Sequence, residues 1–207
     1  MAKRELVPTP GGITLEMYLA FENASDIKHE FVEGRVYAMT GVHTRHNRIA
    51  GNVYTRLSVA SHDGPCRAYI ADVKLQVADD RIYYPDVMSL CTEPNDDALI
   101  IDDPCVVVEV TSPSTRRIDY TEKRDAYLKL SSLRVYLVVE QRRRQVEHWW
   151  RDADGSWRHA VLIEQGTIEL PCPRLTLTLD DIYRGVTLPP PKQRRVREPE
   201  PSYPGES

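Results

Sequence analysis

Between Cys105 and Val110 the chain reads Cys-Val-Val-Val-Glu-Val, apolar at every position but one and mostly β-branched. A run this short and this apolar is a strand covered on both faces, lying centrally in a sheet. Glu109 interrupts it. A carboxylate in that setting carries a large desolvation penalty unless it is paired or bound to a cation. The plainer reading, a half-exposed strand with Glu109 in water, sits poorly with Val106, Val107, Val108 and Val110 around it.

The segments on either side complete the pattern. Thr14 caps a short helix with Leu15, Tyr18 and Leu19 on one face. Phe31 to Tyr37 alternates around Gly34 and predicts a tight hairpin or a bulged strand pair. From His46 to Ala60, Ile49, Val53, Leu57 and Ala60 recur at helical spacing, one buried stripe of an amphipathic helix. Val73, Leu75 and Val77 then alternate with Asp72, Lys74 and Gln76, a half-buried strand. After the turn at Ala78-Asp79-Asp80 a second strand runs from Arg81 to Cys91, with Pro85 marking an edge, a bend or a bulge. A polar loop covers Glu93 to Asp97. Ser112-Pro113-Ser114-Thr115 ends the Glu109 strand and caps a helix over Arg117 to Leu130. Val135 to Val139 is another buried strand, and Val146, His148 and Trp150 share one side of the next. Further short strands fall between Trp157 and Leu179. The core order is helix, three strands, helix, strand (αβββαβ). It predicts an α/β domain with a mixed β-sheet flanked by helices and extra strands at both ends.

The chain has 207 residues and a formal net charge of −4. That length suits a single domain, here residues 1–188, followed by a proline-rich tail over 189–207 that has little to bury and is expected to be disordered. The charge advertises no general affinity for nucleic acid, although a local basic patch remains compatible with it. Met1 to Gly12 has no apolar run of signal-peptide length, and no segment approaches the roughly 20 apolar residues of a membrane span. A soluble, cytoplasmic protein is expected. Cys66, Cys91, Cys105 and Cys172 show neither Cys-x-x-Cys spacing nor a histidine-rich neighbourhood, so we expect thiols rather than zinc ligands or a disulfide scaffold.

Three residues then suggest chemistry. Asp86 follows Pro85 one strand before Glu109, where the two carboxylates can meet across adjacent strands. Lys123 lies on the helix that leaves the Glu109 strand, four residues after Asp119 and four before Tyr127. Two carboxylates and a lysine suit metal-dependent phosphodiester cleavage. Each residue has a plainer reading: a turn aspartate for Pro85-Asp86, and an exposed i,i+4 pair for Lys123. Glu30 and Glu33 flank the Gly34 hairpin, where one of them could approach the site although surface exposure is the plainer reading; Glu30 and His46, which opens the amphipathic helix, are the candidate supporting groups. Trp149 and Trp150 suit packing better than base stacking. Arg116-Arg117 and Arg142-Arg143-Arg144 offer phosphate contacts or a merely solvated surface.

At these positions the chain resembles the Uma2 (DUF820) family of restriction-endonuclease-like proteins. The resemblance runs through Thr14-Leu15-Glu16-Met17-Tyr18-Leu19, His29 to Met39, Arg45-His46-Asn47-Arg48-Ile49, Tyr83-Tyr84-Pro85-Asp86-Val87 and Val108 to Thr115. Asp119, Glu122-Lys123 and Tyr127 follow, then Leu175 to Tyr183; together they span roughly residues 13 to 188. It implies the PD-(D/E)XK nuclease fold and a magnesium- (or manganese-) dependent DNA endonuclease. Asp86 and Glu109 would be the metal ligands, the Val110 carbonyl a possible third, and Lys123 the group that assists water or phosphate. The usual motif sets its lysine two residues after the second acid, where this chain has Thr111. Lys74, two residues after Asp72, is a rival for that role. No small-molecule cofactor and no membrane partner are implied. A homodimer is expected, because two-fold pairing of sites serves cleavage of both strands.

Two other readings stay open. The same fold could bind nucleic acid or a protein without cutting, its acids and lysine forming an internal ion-pair network. A glycosidase-like carboxylate pair would need an aromatic-lined groove, and only 8% of residues are aromatic.

Overall fold

The computed structural model describes residues 5–9, 11–39, 41–92, 97–112 and 115–190. The loop expected over Glu93 to Asp97 and the tail beyond Pro189 lie largely outside the described residues.

The chain opens with β1 (Glu5–Val7) and α1 (Leu15–Asn23), whose first turn is capped by the Thr14 hydroxyl accepting from the Met17 N–H. Then come β2 (His29–Val32) and β3 (Arg35–Ala38), joined by Glu33 and Gly34 at φ 51° and 75°. Two consecutive positive φ values match the right-handed twist of a hairpin, and Gly34 adopts one without steric cost. The amphipathic helix is α2 (Thr44–Ala60), with Ile49, Val53 and Leu57 wholly buried. Burying three such side chains contributes roughly 1.5–3 kcal/mol each, enough to set which face looks inward.

The next strands are β4 (Arg67–Ile70), β5 (Lys74–Ala78), β6 (Arg81–Tyr83), β7 (Val87–Leu90), β8 (Ile100–Ile101) and β9 (Val106–Thr111). The segment read as one strand from Arg81 to Cys91 is two. β6 pairs with β5 and β2 in one sheet, while β7 pairs with β4 and β9 in another. Pro85 lies at the crossing, where its missing N–H breaks the ladder.

After β9 the expected helix arrives as three pieces, α3 (Arg116–Ile118), a π-helical stretch π1 (Asp119–Lys123) and α4 (Arg124–Tyr127). It returns the chain to β10 (Val135–Glu140), parallel to β9. β11 (Gln145–Arg151), β12 (Trp157–Ile163), the hairpin β13 (Thr167–Pro171) and β14 (Arg174–Thr178), and α5 (Leu179–Ile182) complete the fold. Among the described residues twelve strands form two mixed six-stranded sheets, ordered β1-β3-β2-β6-β5-β8 and β12-β11-β10-β9-β7-β4, and β13–β14 stand apart as a two-stranded sheet. The expected mixed sheet with flanking helices is present; the division into two sheets follows from the break at Pro85.

The second sheet explains the valine run. Val106, Val108 and Val110 on β9, with Val135, Leu137 and Val139 on β10, pack under α2, α5 and the β13–β14 hairpin. On the opposite face Val107, Tyr136 and Val138 pack against Tyr127, Leu75 and Tyr83 from α4 and the first sheet. Both faces are covered, so every residue of β9 is buried, Glu109 included.

The cysteines depart from expectation. Cys66 is bonded to Cys91 and Cys105 to Cys172, and none is free. Arg67 faces Leu90 in the β4–β7 ladder, so Cys66 and Cys91 are the next pair outward. Cys172, in the β13–β14 turn, meets the start of β9 across a separation of 67 residues. Neither proximity can be read from sequence spacing. Among the described residues no helix is long and apolar enough to cross a membrane.

His148 on β11 stacks on Trp150 at 4.6 Å, and its Nε2 meets no hydrogen-bond partner among the described residues. Burial, helped by the charge of His159, pushes its pKa down to about 4. A folded pKa below the unfolded value gives stability that is present above about pH 6.5 and lost as pH falls through about 4. His148→Phe is therefore expected to remove up to roughly 3 kcal/mol of the acid destabilisation over that window. Urea unfolding of both proteins from pH 7 to 4 measures the difference.

Candidate active site

Strand alternation aims Glu109. Val108 and Val110 point to the α2 side, so Glu109 points to the other, towards the helical crossover and the first sheet. The β7–β9 register, Val87 opposite Val108, sets Asp86 beside Glu109. Asp86 Oδ2 accepts from the Val110 N–H at 2.7 Å and lies 3.2 Å from His46 Nε2. His46, in the first turn of α2, is buried; burial pushes its imidazole down, but the hydrogen bond and charge of Asp86 outweigh this and hold it above its ordinary value.

Lys123 is 5% exposed, and its Nζ lies 2.8 Å from Glu30 Oε1 and 2.9 Å from Glu109 Oε1. Tyr127, one turn on, donates its hydroxyl to the same Glu109 oxygen at 2.8 Å. Asp119 Oδ1 stands 3.9 Å from Nζ. The exposed i,i+4 pair considered for Lys123 is therefore not what forms: both partners are buried. Glu30 comes from β2 of the first sheet and Glu109 from β9 of the second, so one ammonium bridges the sheets.

The remaining candidates separate clearly. Glu33 sits on the hairpin turn, mostly exposed and paired with Arg81. Asp72 is exposed at φ 63° and paired with Lys28. Lys74 lies over the Tyr84 ring, 5.7 Å from its centroid. The rival acid-x-lysine pair thus points in two directions and neither residue joins the cluster. Thr111, where the usual motif has its lysine, donates its hydroxyl to Glu140 at 3.2 Å, and Glu140 also holds Arg116 Nε at 2.6 Å. Trp149 packs in the core. Arg117, Arg142 and Arg143 are exposed.

Two participants were missed as site groups, Asp119 and Tyr127. Their spacing from Lys123 placed them on its stripe, but an i±4 relation alone does not distinguish a buried stripe from a solvated one. A third feature had no sequence signal. Glu22 accepts from the His29 N–H, lies 2.9 Å from His29 Nδ1, and accepts from the Tyr84 hydroxyl at 2.6 Å, bracing the residue next to Pro85-Asp86.

Three carboxylates surround one ammonium, with Asp86 nearby. Burial raises Glu109 well above the ordinary carboxyl range; Lys123 opposes this, and Asp86, Asp119 and Glu30 add to it. Burial likewise pushes Asp119 up to about 7 against the pull of Lys123 and of the Thr115 hydroxyl. Lys123 is held charged: burial disfavours its ammonium, but Glu109, Glu30 and Asp119 more than compensate.

As a metal donor set, Asp86 and Glu109 are hard oxygen ligands, the kind that suits magnesium or manganese. Magnesium is commonly held by one or two carboxylates, with water and phosphate completing its shell. Among the described residues no three histidine, cysteine or acidic side chains are grouped so as to hold a metal ion.

The two-sheet α/β fold defines a class of domain, and comparison with known proteins shows the family. Residues 15–180 match the model of the Uma2 family, described as "Putative restriction endonuclease", and the chain belongs to that family. An uncharacterized protein of Synechocystis sp. is 32% identical over 174 residues, covering 83% of this chain and 91% of the relative. A second from the same organism is 29% identical over 156 residues, covering 73% and 88%. The fold matches a crystal structure from Anabaena variabilis, described as "a putative nuclease belonging to DUF820", with a TM-score of 0.70 at 17% identity, covering 83% of this chain and 97% of that one.

Removing Lys123 strands buried carboxylates. Lys123→Met is expected to lower stability by about 3–5 kcal/mol at pH 7. Arg158→Ala, which breaks an exposed pair with Asp152 at 3.0 Å, should change it by less than about 1 kcal/mol. Urea unfolding of the two variants beside the parent checks the contrast.

Proposed function

We propose that this protein is a magnesium- or manganese-dependent endonuclease that hydrolyses phosphodiester bonds in DNA. The observation that carries the reading is the arrival of Asp86, Glu109 and Lys123, from three separate elements, in one cluster. Family membership supports it.

In this reading Asp86 and Glu109 hold the ion, with the Val110 carbonyl as a further donor. The bound ion supplies a Lewis acid for the phosphate and lowers the pKa of a water. The chain's own groups do the rest. His46 and the Val110 N–H orient the Asp86 carboxylate from two sides. Tyr127 fixes Glu109. Lys123, kept charged by its carboxylate neighbours, faces the negative charge that develops on the phosphoryl oxygens. Glu30 positions Lys123 from the other sheet. Exposed Arg117, Arg142 and Arg143 are available to the sugar-phosphate backbone.

A second reading has an observation of its own. Lys123 bonds directly to Glu109 and Glu30, so the acids and the lysine already form the internal ion-pair network of a nuclease-fold protein that binds without cutting. Cleavage of supercoiled plasmid with Mg²⁺ or Mn²⁺ decides between them. The nuclease reading expects metal-dependent nicking that Asp86→Ala and Glu109→Ala each reduce at least roughly a hundredfold, the loss of a few kcal/mol of transition-state stabilisation. No cleavage by the parent protein with either metal, with DNA binding retained, establishes the second reading. Linear product appearing together with the nicked form is the expectation for a homodimer that presents two sites.

A further inference from the structure

Asp119 has no part in the chemistry above, yet the fold goes to some length to keep it. Its side chain is 1% exposed, and among the described residues neither carboxylate oxygen meets a donor at full hydrogen-bond geometry, although the Thr115 hydroxyl lies near enough to favour its charged form. Buried polar groups are nearly always partnered, and an unpartnered one calls for an explanation in ion binding or function. Asp119 opens π1 and Lys123 closes it. π-Helical turns are rare and gather at functional sites. This one turns both residues inward, while Tyr120 and Glu122 are only half-buried and Thr121 is exposed.

The second half of the argument concerns Glu109. Its Oε1 accepts from both Lys123 and Tyr127. A divalent cation on Glu109, even through Oε2, would draw on the same carboxylate charge that holds the Lys123 ammonium at Oε1. An ammonium that simply lost that contact would be a buried cation with only Glu30 beside it. Asp119 Oδ1 is 3.9 Å away, just beyond hydrogen-bond reach.

We propose that Asp119 is a positioning residue, the reserve acceptor that takes the Lys123 ammonium when a divalent cation engages Glu109. The inference rests on the metal-site reading of Asp86 and Glu109. Lys123 pivots on Glu30 through about 1 Å, the difference between 3.9 Å to Asp119 now and the 2.9 Å it keeps to Glu109. It remains doubly paired throughout, with Glu30 and Glu109 before and with Glu30 and Asp119 after. The ammonium stays charged and beside the reacting phosphate, while Glu109 is freed for the ion.

The test is calorimetric titration of Mn²⁺ alone into the full chain, its Asp119→Asn and Lys123→Met variants, and the double variant. Asp119→Asn is expected to weaken Mn²⁺ binding roughly tenfold, as loss of an outer-shell partner does. In the Lys123→Met background, where no ammonium needs an acceptor, the same change should alter affinity less than about twofold, the coupling that a double-mutant cycle isolates. Unchanged affinity in Asp119→Asn makes the residue merely structural and overturns the proposal. An equal loss in both backgrounds overturns it too, because Asp119 would then act on the ion directly. If the parent chain shows no Mn²⁺ binding, the metal-site reading itself fails and the proposal with it, an outcome distinct from the other two. Should Asp119→Asn not fold, a crystal structure of the unaltered protein with Mn²⁺ answers instead: Lys123 Nζ within hydrogen-bond distance of Asp119 supports the handover, and Nζ still on Glu109 refutes it.

Discussion

The ammonium of Lys123 is the contact on which the rest of this site is arranged. It reaches from the crossover helix into the seam between two sheets and holds a carboxylate from each, Glu30 on β2 and Glu109 on β9. Buried ion pairs of this kind add little net stability, because removing the charges from water costs about as much as their attraction returns. What they do strongly is exclude alternatives. Any rearrangement that slid the sheets apart, or turned the helix by one residue, would leave a charge buried alone. The position of the helix over β9, the approach of the β2–β3 hairpin and the direction of Glu109 are therefore coupled through one group.

The layers around that contact make the coupling possible. With both faces of the second sheet covered, β9 has no solvent to offer Glu109. The bend at Pro85 sends β6 to one sheet and β7 to the other, and so carries Asp86 to the seam at the level of Glu109. Tyr84, tied to Glu22 and through it to His29, braces that crossing from the first sheet. Three local features, a covered strand, a proline break and a braced tyrosine, thus converge on the same few ångströms. Negative charge is concentrated there, offset among the described residues by Lys123 and by His46 beside Asp86.

The lysine has its own logic. At the strand position that usually carries it, this chain has Thr111, whose hydroxyl serves Glu140 and, through it, Arg116. A lysine on a helix is held by different constraints from one on a strand. Its backbone belongs to an element that can shift slightly without breaking a sheet, and the π-helical turn gives it a neighbour, Asp119, that no strand lysine would have.

Much of this was legible before any tertiary contact was known. The all-apolar β-branched run from Val106 to Val110 determined a central covered strand, because only burial on both faces suits such residues. The buried stripe of α2, the hairpin at Gly34 and the need of Glu109 for a partner in an apolar strand follow from periodicity and desolvation alone. The tertiary structure decided which acids and which lysine meet. Asp72 with Lys74 and Asp86 with Lys123 are comparable as sequence; in the fold Asp72 turns to the surface and Lys74 onto the Tyr84 ring, while the separation of β6 from β7 sets Asp86 beside Glu109, which Lys123 holds. The cysteine pairings and the choice of Glu30 rather than Glu33 depend in the same way on contacts between residues far apart in the chain. Local propensity and hydrophobic period specify elements and their faces, whereas a cluster of charges is specified by sheet register and by the crossing of elements, which no short stretch of sequence contains.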